Sequence, residues 1–164
     1  FSQACTTFVG QNYGAGKIDR CKKTMLLCLG EDIIASAIAI VLVLLTGKYL
    51  LAVFNNDPQV IALGYDRLKI VFFAYIFSLL YEVMSGYLRG FGISLVPAAL
   101  TALGVCGIRI VWINTVFPLH HTFRSIMLVY PISLATTAVL IFIVLLVYRP
   151  SRRFAAHAAE TPQA

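Results

Sequence analysis

Tyr81–Pro97, YEVMSGYLRGFGISLVP, is the stretch whose reading decides the fold. It starts inside an apolar run that carries one carboxylate, Glu82. It narrows at Gly86 and Gly90, four residues apart, and leaves the run at Arg89. It then turns through Gly90, Gly92 and Ser94 and restarts at Pro97. This is the pattern of one transmembrane helix ending, a short turn at the cytoplasmic face, and the next helix beginning with proline in its first turn. Gly86-x-x-x-Gly90 permits close helix approach. An acid inside a span is costly and marks a candidate functional residue.

The composition agrees. Of 164 residues, 60% are hydrophobic and 12% charged, with mean hydropathy +0.86. Soluble domains carry about a quarter charged residues, so the expected class is all-α: a polytopic transmembrane bundle. The net charge of +6 forms no basic stripe with interleaved aromatics, which excludes nucleic acid as a partner and leaves the lipid bilayer. Cys5, Cys21, Cys28 and Cys106 have no C-x-x-C spacing and read as small apolar core residues.

Working outward from the central stretch, the predicted helices cover about 1–14, 20–46, 58–90, 95–117 and 122–148 within residues 1–149. That is the end of one span plus four complete ones, followed by a tail over 150–164 that reads as disordered. The chain opens at Phe1 in an apolar segment with no signal-peptide pattern, as expected of the C-terminal part of a longer membrane protein. Gly10, Gly14 and Gly16 close the first segment. Its GAGK string is no phosphate loop, because Gln11 and Ile18 occupy positions that need Gly and Ser or Thr. Gly47 begins a predicted outer connection, and Asp57-Pro58 reads as a helix start. Pro131 lies near the outer end of the last span and is expected to kink it.

The basic residues set the orientation. Lys17, Arg20, Lys22, Lys23, Arg89, Arg149, Arg152 and Arg153 fall on one side; Lys48, Arg67, Lys69 and Arg124 fall on the other. By the positive-inside rule the first side, with the C-terminus, is cytoplasmic.

Away from the ends of the predicted helices, Glu82, Arg109, Glu31 and Asp32 form the candidate ion-coupling or charge network. Arg109 is the one deep basic residue, and a carboxylate or several carbonyls are expected beside it. Glu82 therefore has two readings. It either neutralises Arg109 or holds and releases a proton, as a shielded carboxylate can. Glu31 and Asp32 either face protein or sit at a wet bundle end. Tyr75, Phe77, Tyr81 and Tyr87 are candidate cavity residues for a cationic solute, with packing as the alternative. His120 and His121 are adjacent on a loop and lack ligand-like spacing, so no metal is expected.

Ordered strings then point to a family. VGQNYGAGKIDRCKK, FNNDPQVIALGYDRLKI, GYLRGFGISLVPA, IRIVWINTVFP and YPIS resemble multidrug and toxic compound extrusion (MATE) transporters, in order along nearly the whole chain. The resemblance implies a twelve-helix, two-lobe transporter of which this chain supplies the end of helix eight and helices nine to twelve. It implies export of amphipathic, often cationic, organic compounds in exchange for H⁺ or Na⁺, by alternating access between this lobe and an N-terminal lobe. A plasma-membrane location and no cofactor follow from the same resemblance. Some members carry a functional carboxylate on helix ten, where Glu82 is the candidate. Gly10, Gly14, Gly16, Gly86, Gly90, Gly92 and Pro97 would serve packing and turns. The alternative within the superfamily is a lipid-linked oligosaccharide flippase, which would use several basic residues in its cavity. A membrane-embedded enzyme would need a catalytic cluster at one depth, and no His lies within a span. A non-transporting accessory subunit is the remaining reading.

Overall fold

The computed structural model describes residues 1–119 and 122–150. His120, His121 and the tail from 151 onward, expected to be a solvated loop and a disordered tail, lie outside the described residues. The elements are α1 (Ser2–Gly14), α2 (Ile18–Phe54), α3 (Pro58–Gly90), α4 (Leu95–Thr101), a π-helical segment (Ala102–Gly107), α5 (Ile108–Thr115) and α6 (Phe123–Tyr148). The described residues form helices and turns without a strand. Four stretches are long and apolar enough to cross a membrane: α2, α3, α4 through α5, and most of α6. The expected all-α polytopic bundle is therefore what the chain forms. Its outward faces carry large apolar side chains such as Ile34, Leu42, Leu45 and Val147, as a surface solvated by lipid tails requires.

Helix α3 is the hub, with α1 and α2 on one side and α6 on the other. Two small cores flank it. Cys5, Val9, Cys21, Cys28, Val83, Tyr87 and Phe91 join α1, α2 and α3. Ala74, Tyr81, Met84, Leu88, Leu134, Ala138 and Ile141 join α3 to α6. Cys5, Cys21 and Cys28 are thus core residues as expected, whereas Cys106 is exposed.

The Gly86-x-x-x-Gly90 face is the docking site of α1. A Cβ on Gly90 would lie 2.6 Å from Val9 Cβ, and one on Gly86 would meet the Ser2 carbonyl. The close approach lets Ser2 Oγ donate to Glu82 O at 2.8 Å and Thr6 Oγ1 donate to Gly86 O at 3.0 Å. Gly16 (φ +68°) and Gly92 (φ +81°) take left-handed backbone in the two turns at the basic end, where a Cβ would be strained.

Two boundaries differ from expectation. Helix α2 does not end at 46 but runs through Gly47 to Phe54, leaving only Asn55–Asp57 as connection. Gly47 is a contact and not a break. A Cβ there would press on the Tyr65 ring at 3.3 Å, and Gly64 likewise admits Leu51. Helix interiors tolerate one glycine for about 1 kcal/mol, and the close α2–α3 packing offsets it. Tyr65 also donates its hydroxyl to Leu44 O at 3.1 Å and lies beneath Lys48 and Lys69. The second difference is in the fourth crossing, which is not uniformly α-helical: its middle winds as a π segment around Gly104, packed against Thr137. The start of α3 follows expectation, with Asp57 Oδ1 accepting from Gln59 N at 2.8 Å and Pro58 in the first turn. Pro131 sits inside α6, which continues past it as one helix.

Candidate functional site

On α3, Glu82, Ser85 and Arg89 are spaced three and four residues apart and so share one face. This face is adjacent to the glycine face that receives α1, which is why Ser2 reaches both. Opposite it stand α4 and the π segment. Between them lies a cleft of about 380 Å³ lined by Glu82, Ser85 and Arg89 from α3 and by Pro97, Thr101 and Cys106, among others, from the facing helix. Two larger grooves are apolar. One of about 530 Å³ runs between α2 and α3, with Lys69 at its rim; one of about 410 Å³ lies over α2, α3 and α6. Volume alone would favour them, but of the three it is the smaller cleft that is lined by both a carboxylate and a guanidinium.

The cleft's polar groups are held in different ways. Arg89 Nη2 donates to Ser2 Oγ at 2.7 Å, and the Ser2 hydroxyl in turn donates to the backbone carbonyl of Glu82. Arg89 Nε and Ser85 Oγ are buried without hydrogen-bond partners, and Ser85 is 4% exposed. Glu82 is half-buried. Among the described residues the one ion pair is Lys69–Asp66, at 2.6 Å on the opposite end of α3.

Glu82 and Arg109 therefore do not pair, contrary to the neutralisation reading. Arg109 Nε donates to Ser133 Oγ at 3.3 Å, and the guanidinium lies 4.6 Å from the centre of the Tyr130 ring. A π face and a hydroxyl on α6 take the place of the expected carboxylate, because α5 follows the π segment and directs Arg109 at α6 and not at α3. Nor do the α2 acids join Glu82 in the cleft. Glu31 is exposed, while Asp32 is buried and accepts from Ser36 Oγ at 3.4 Å.

The four aromatic candidates are not brought together. Tyr81 lines the cleft. Tyr87 is in the α1–α3 core against Phe91, with ring centres 5.1 Å apart. Tyr75 is 48% exposed on the outer surface, and Phe77 packs edge-on with Phe73 over the second apolar groove. Successive helical residues turn by about 100°, so a dense aromatic run is distributed around α3. Of the turn and packing residues, Gly86 and Gly90 form the α1 seat, Gly10 passes near the Gly90 carbonyl, and Gly14 faces open space. Pro97 is buried at the cleft. The sequence singled out neither Ser85 nor, except as an apolar core residue, Cys106, which is exposed at the cleft. The signal for Ser85 was the polar stripe Glu82–Ser85–Arg89; Cys106 depends on the π segment and had none.

A half-buried carboxylate and a guanidinium thus face one cleft within a polytopic helix bundle, and ionisable groups within spans are functional candidates. The chain belongs to the MatE family, whose model matches residues 1–113, which makes it a member of the MATE-type transporter superfamily. No curated protein matches it significantly.

Proposed function

We propose that this chain is one lobe of an antiporter that exports amphipathic, cationic organic compounds in exchange for H⁺ or Na⁺. The observation that carries the reading is Glu82: a carboxylate within a span, half-buried at a cleft, without an ion-pair partner among the described residues. An acid committed to a salt bridge could not exchange its occupant; this one can take a proton, a sodium ion or an organic cation in turn. Exchange couples the fluxes when the occupants stabilise different conformations. The two lobes of one longer chain enclose the full cavity, in the plasma membrane with the C-terminus cytoplasmic, in line with the basic residues at that end.

The test is energised efflux of a dye cation from cells expressing the full-length protein, with H⁺ and Na⁺ gradients collapsed separately. One gradient is expected to abolish efflux when collapsed, and Glu82→Gln to abolish it at normal membrane abundance. Unchanged export by Glu82→Gln would remove Glu82 from the coupling step. The flippase reading draws on the free Nε–H of Arg89, which suits phosphate. Wild-type protein that moves no dye but scrambles a lipid-linked diphosphate would favour it.

A further inference from the structure

The mechanism above uses Glu82 and leaves two buried donors in the same cleft unexplained. Arg89 Nε and Ser85 Oγ are both without partners, one turn apart on the same face of α3, and both line the cleft. Buried donors in native proteins are almost always paired, and leaving one bare costs more than the bond itself contributes. Arg89 is not loosely placed, since its Nη2 is fixed to Ser2 Oγ at 2.7 Å. That bond holds the guanidinium plane in position with Nε–H still to be satisfied. A hydroxyl one turn away supplies the second donor. We propose that Arg89 and Ser85 form an oxyanion subsite, which takes a carboxylate or phosphate group of a solute entering the cleft.

The proposal rests on the transport reading and deepens it. Glu82 stands seven residues before Arg89, about 10 Å along the helix. One cleft thus offers an acceptor at its deeper part and two donors toward the basic end. A solute with an ammonium group and an oxyanion satisfies both. Fixed, desolvated donors bind an oxyanion with charge-assisted hydrogen bonds, and a planar guanidinium gives them direction. Ser85 needs no partner for folding, so Ser85→Ala removes a bare buried hydroxyl and leaves the apo fold intact.

Cys106 provides the readout, because it is exposed and lines the same cleft. In the full-length protein in nanodiscs, the rate of alkylation of Cys106 by N-ethylmaleimide is followed by mass spectrometry. The solutes are hexanoate, hexylamine and 6-aminohexanoate. The expected result is that hexanoate and 6-aminohexanoate slow alkylation and that 6-aminohexanoate acts at the lowest concentration. Ser85→Ala and Arg89→Gln should each raise the hexanoate concentration needed by about tenfold or more, the effect of one charge-assisted bond. Hexylamine, held by Glu82 alone, should also slow alkylation, and both variants should leave its protection unchanged.

Protection by hexanoate that survives both substitutions overturns the subsite, as does its absence in wild type. A comparison of phosphatidylcholine discs with discs containing phosphatidylglycerol separates the sources. If the anionic lipid alone protects, and does so through Arg89, the occupant is a headgroup and the solute proposal fails. A thiol that stays unreactive under every condition also overturns it, because the cleft is then filled by the protein. The readout is binding, so loss of the subsite is distinguishable from loss of transport.

Discussion

Replacing Gly90 by alanine tests the seating of α1 on α3 most severely for its size. The new Cβ would lie 2.6 Å from both Cβ and Cγ1 of Val9 and 3.1 Å from Thr6 O. Carbon atoms settle about 3.5–4.0 Å apart, so the two helices must separate by roughly 1 Å. Val9 cannot rotate out of the way: it is fully buried and branched at Cβ, which leaves few rotamers. Overpacking of this kind costs about 1–3 kcal/mol. The same displacement stretches the Thr6–Gly86 and Ser2–Glu82 hydrogen bonds, now 3.0 and 2.8 Å, beyond useful length, at about 1 kcal/mol each. Alanine's better helix propensity returns about 1 kcal/mol. The net expectation is a loss of about 2–4 kcal/mol, on the order of a 30- to 1,000-fold rise in the open population. Cys5 reports it directly, since it lies on α1 and is buried in the core that α1 shares with α2 and α3. Its alkylation rate in the full-length protein should rise by that factor. Gly14→Ala, where a Cβ meets nothing within 4 Å, should leave the rate unchanged. A Cys5 rate within twofold of wild type in Gly90→Ala would refute the tight seating.

Three further outcomes follow from the contacts. A double-mutant cycle of Arg109→Gln and Tyr130→Leu, read by thermal unfolding in detergent, should give a coupling of about 0.5–2 kcal/mol for the cation–π pair; additive effects would contradict it. Asp57→Ala removes the cap on Gln59 N and should cost about 1 kcal/mol, seen as faster hydrogen exchange confined to the first turn of α3. Tyr65→Phe keeps the ring beneath Lys48 and Lys69 and loses only the bond to Leu44 O. Its unfolding temperature should fall by the equivalent of about 1 kcal/mol, and no change would show that the hydroxyl is better satisfied by solvent.

The parts of the fold that were legible in the sequence are those governed by local chemistry. The apolar run lengths located the spans, Asp57-Pro58 started α3 where expected, and the glycines of LRGFG closed it. Gly47 misled because a glycine in a sequence looks the same whether it ends a helix or admits Tyr65 beside it. The π segment depends on how Gly104 meets Thr137, a contact between residues far apart in the chain. The site divided along the same line. Glu82 stood out as an acid in a span, and its stripe with Ser85 and Arg89 follows from helical spacing. That Arg109 would find Tyr130 and Ser133 and not a carboxylate is tertiary information. A charge in a span demands a partner, but the demand does not say whether a carboxylate, a hydroxyl or a ring will meet it. Tyr75, Phe77, Tyr81 and Tyr87 could not be sorted by spacing, because which face of α3 meets α6, α1 or lipid is decided by those neighbours.

The cleft between α3 and the π-containing helix is the centre of the functional reading, and Cys106 on its wall gives the most direct test. Full-length protein is reconstituted, alkylated with N-ethylmaleimide to completion at Cys106, and assayed for dye-cation transport beside Cys106→Ala treated identically. The expected result is that the adduct, occupying the cleft, abolishes transport in the wild type while Cys106→Ala continues to transport. Undiminished transport with Cys106 fully alkylated would contradict the assignment of this cleft as the working site.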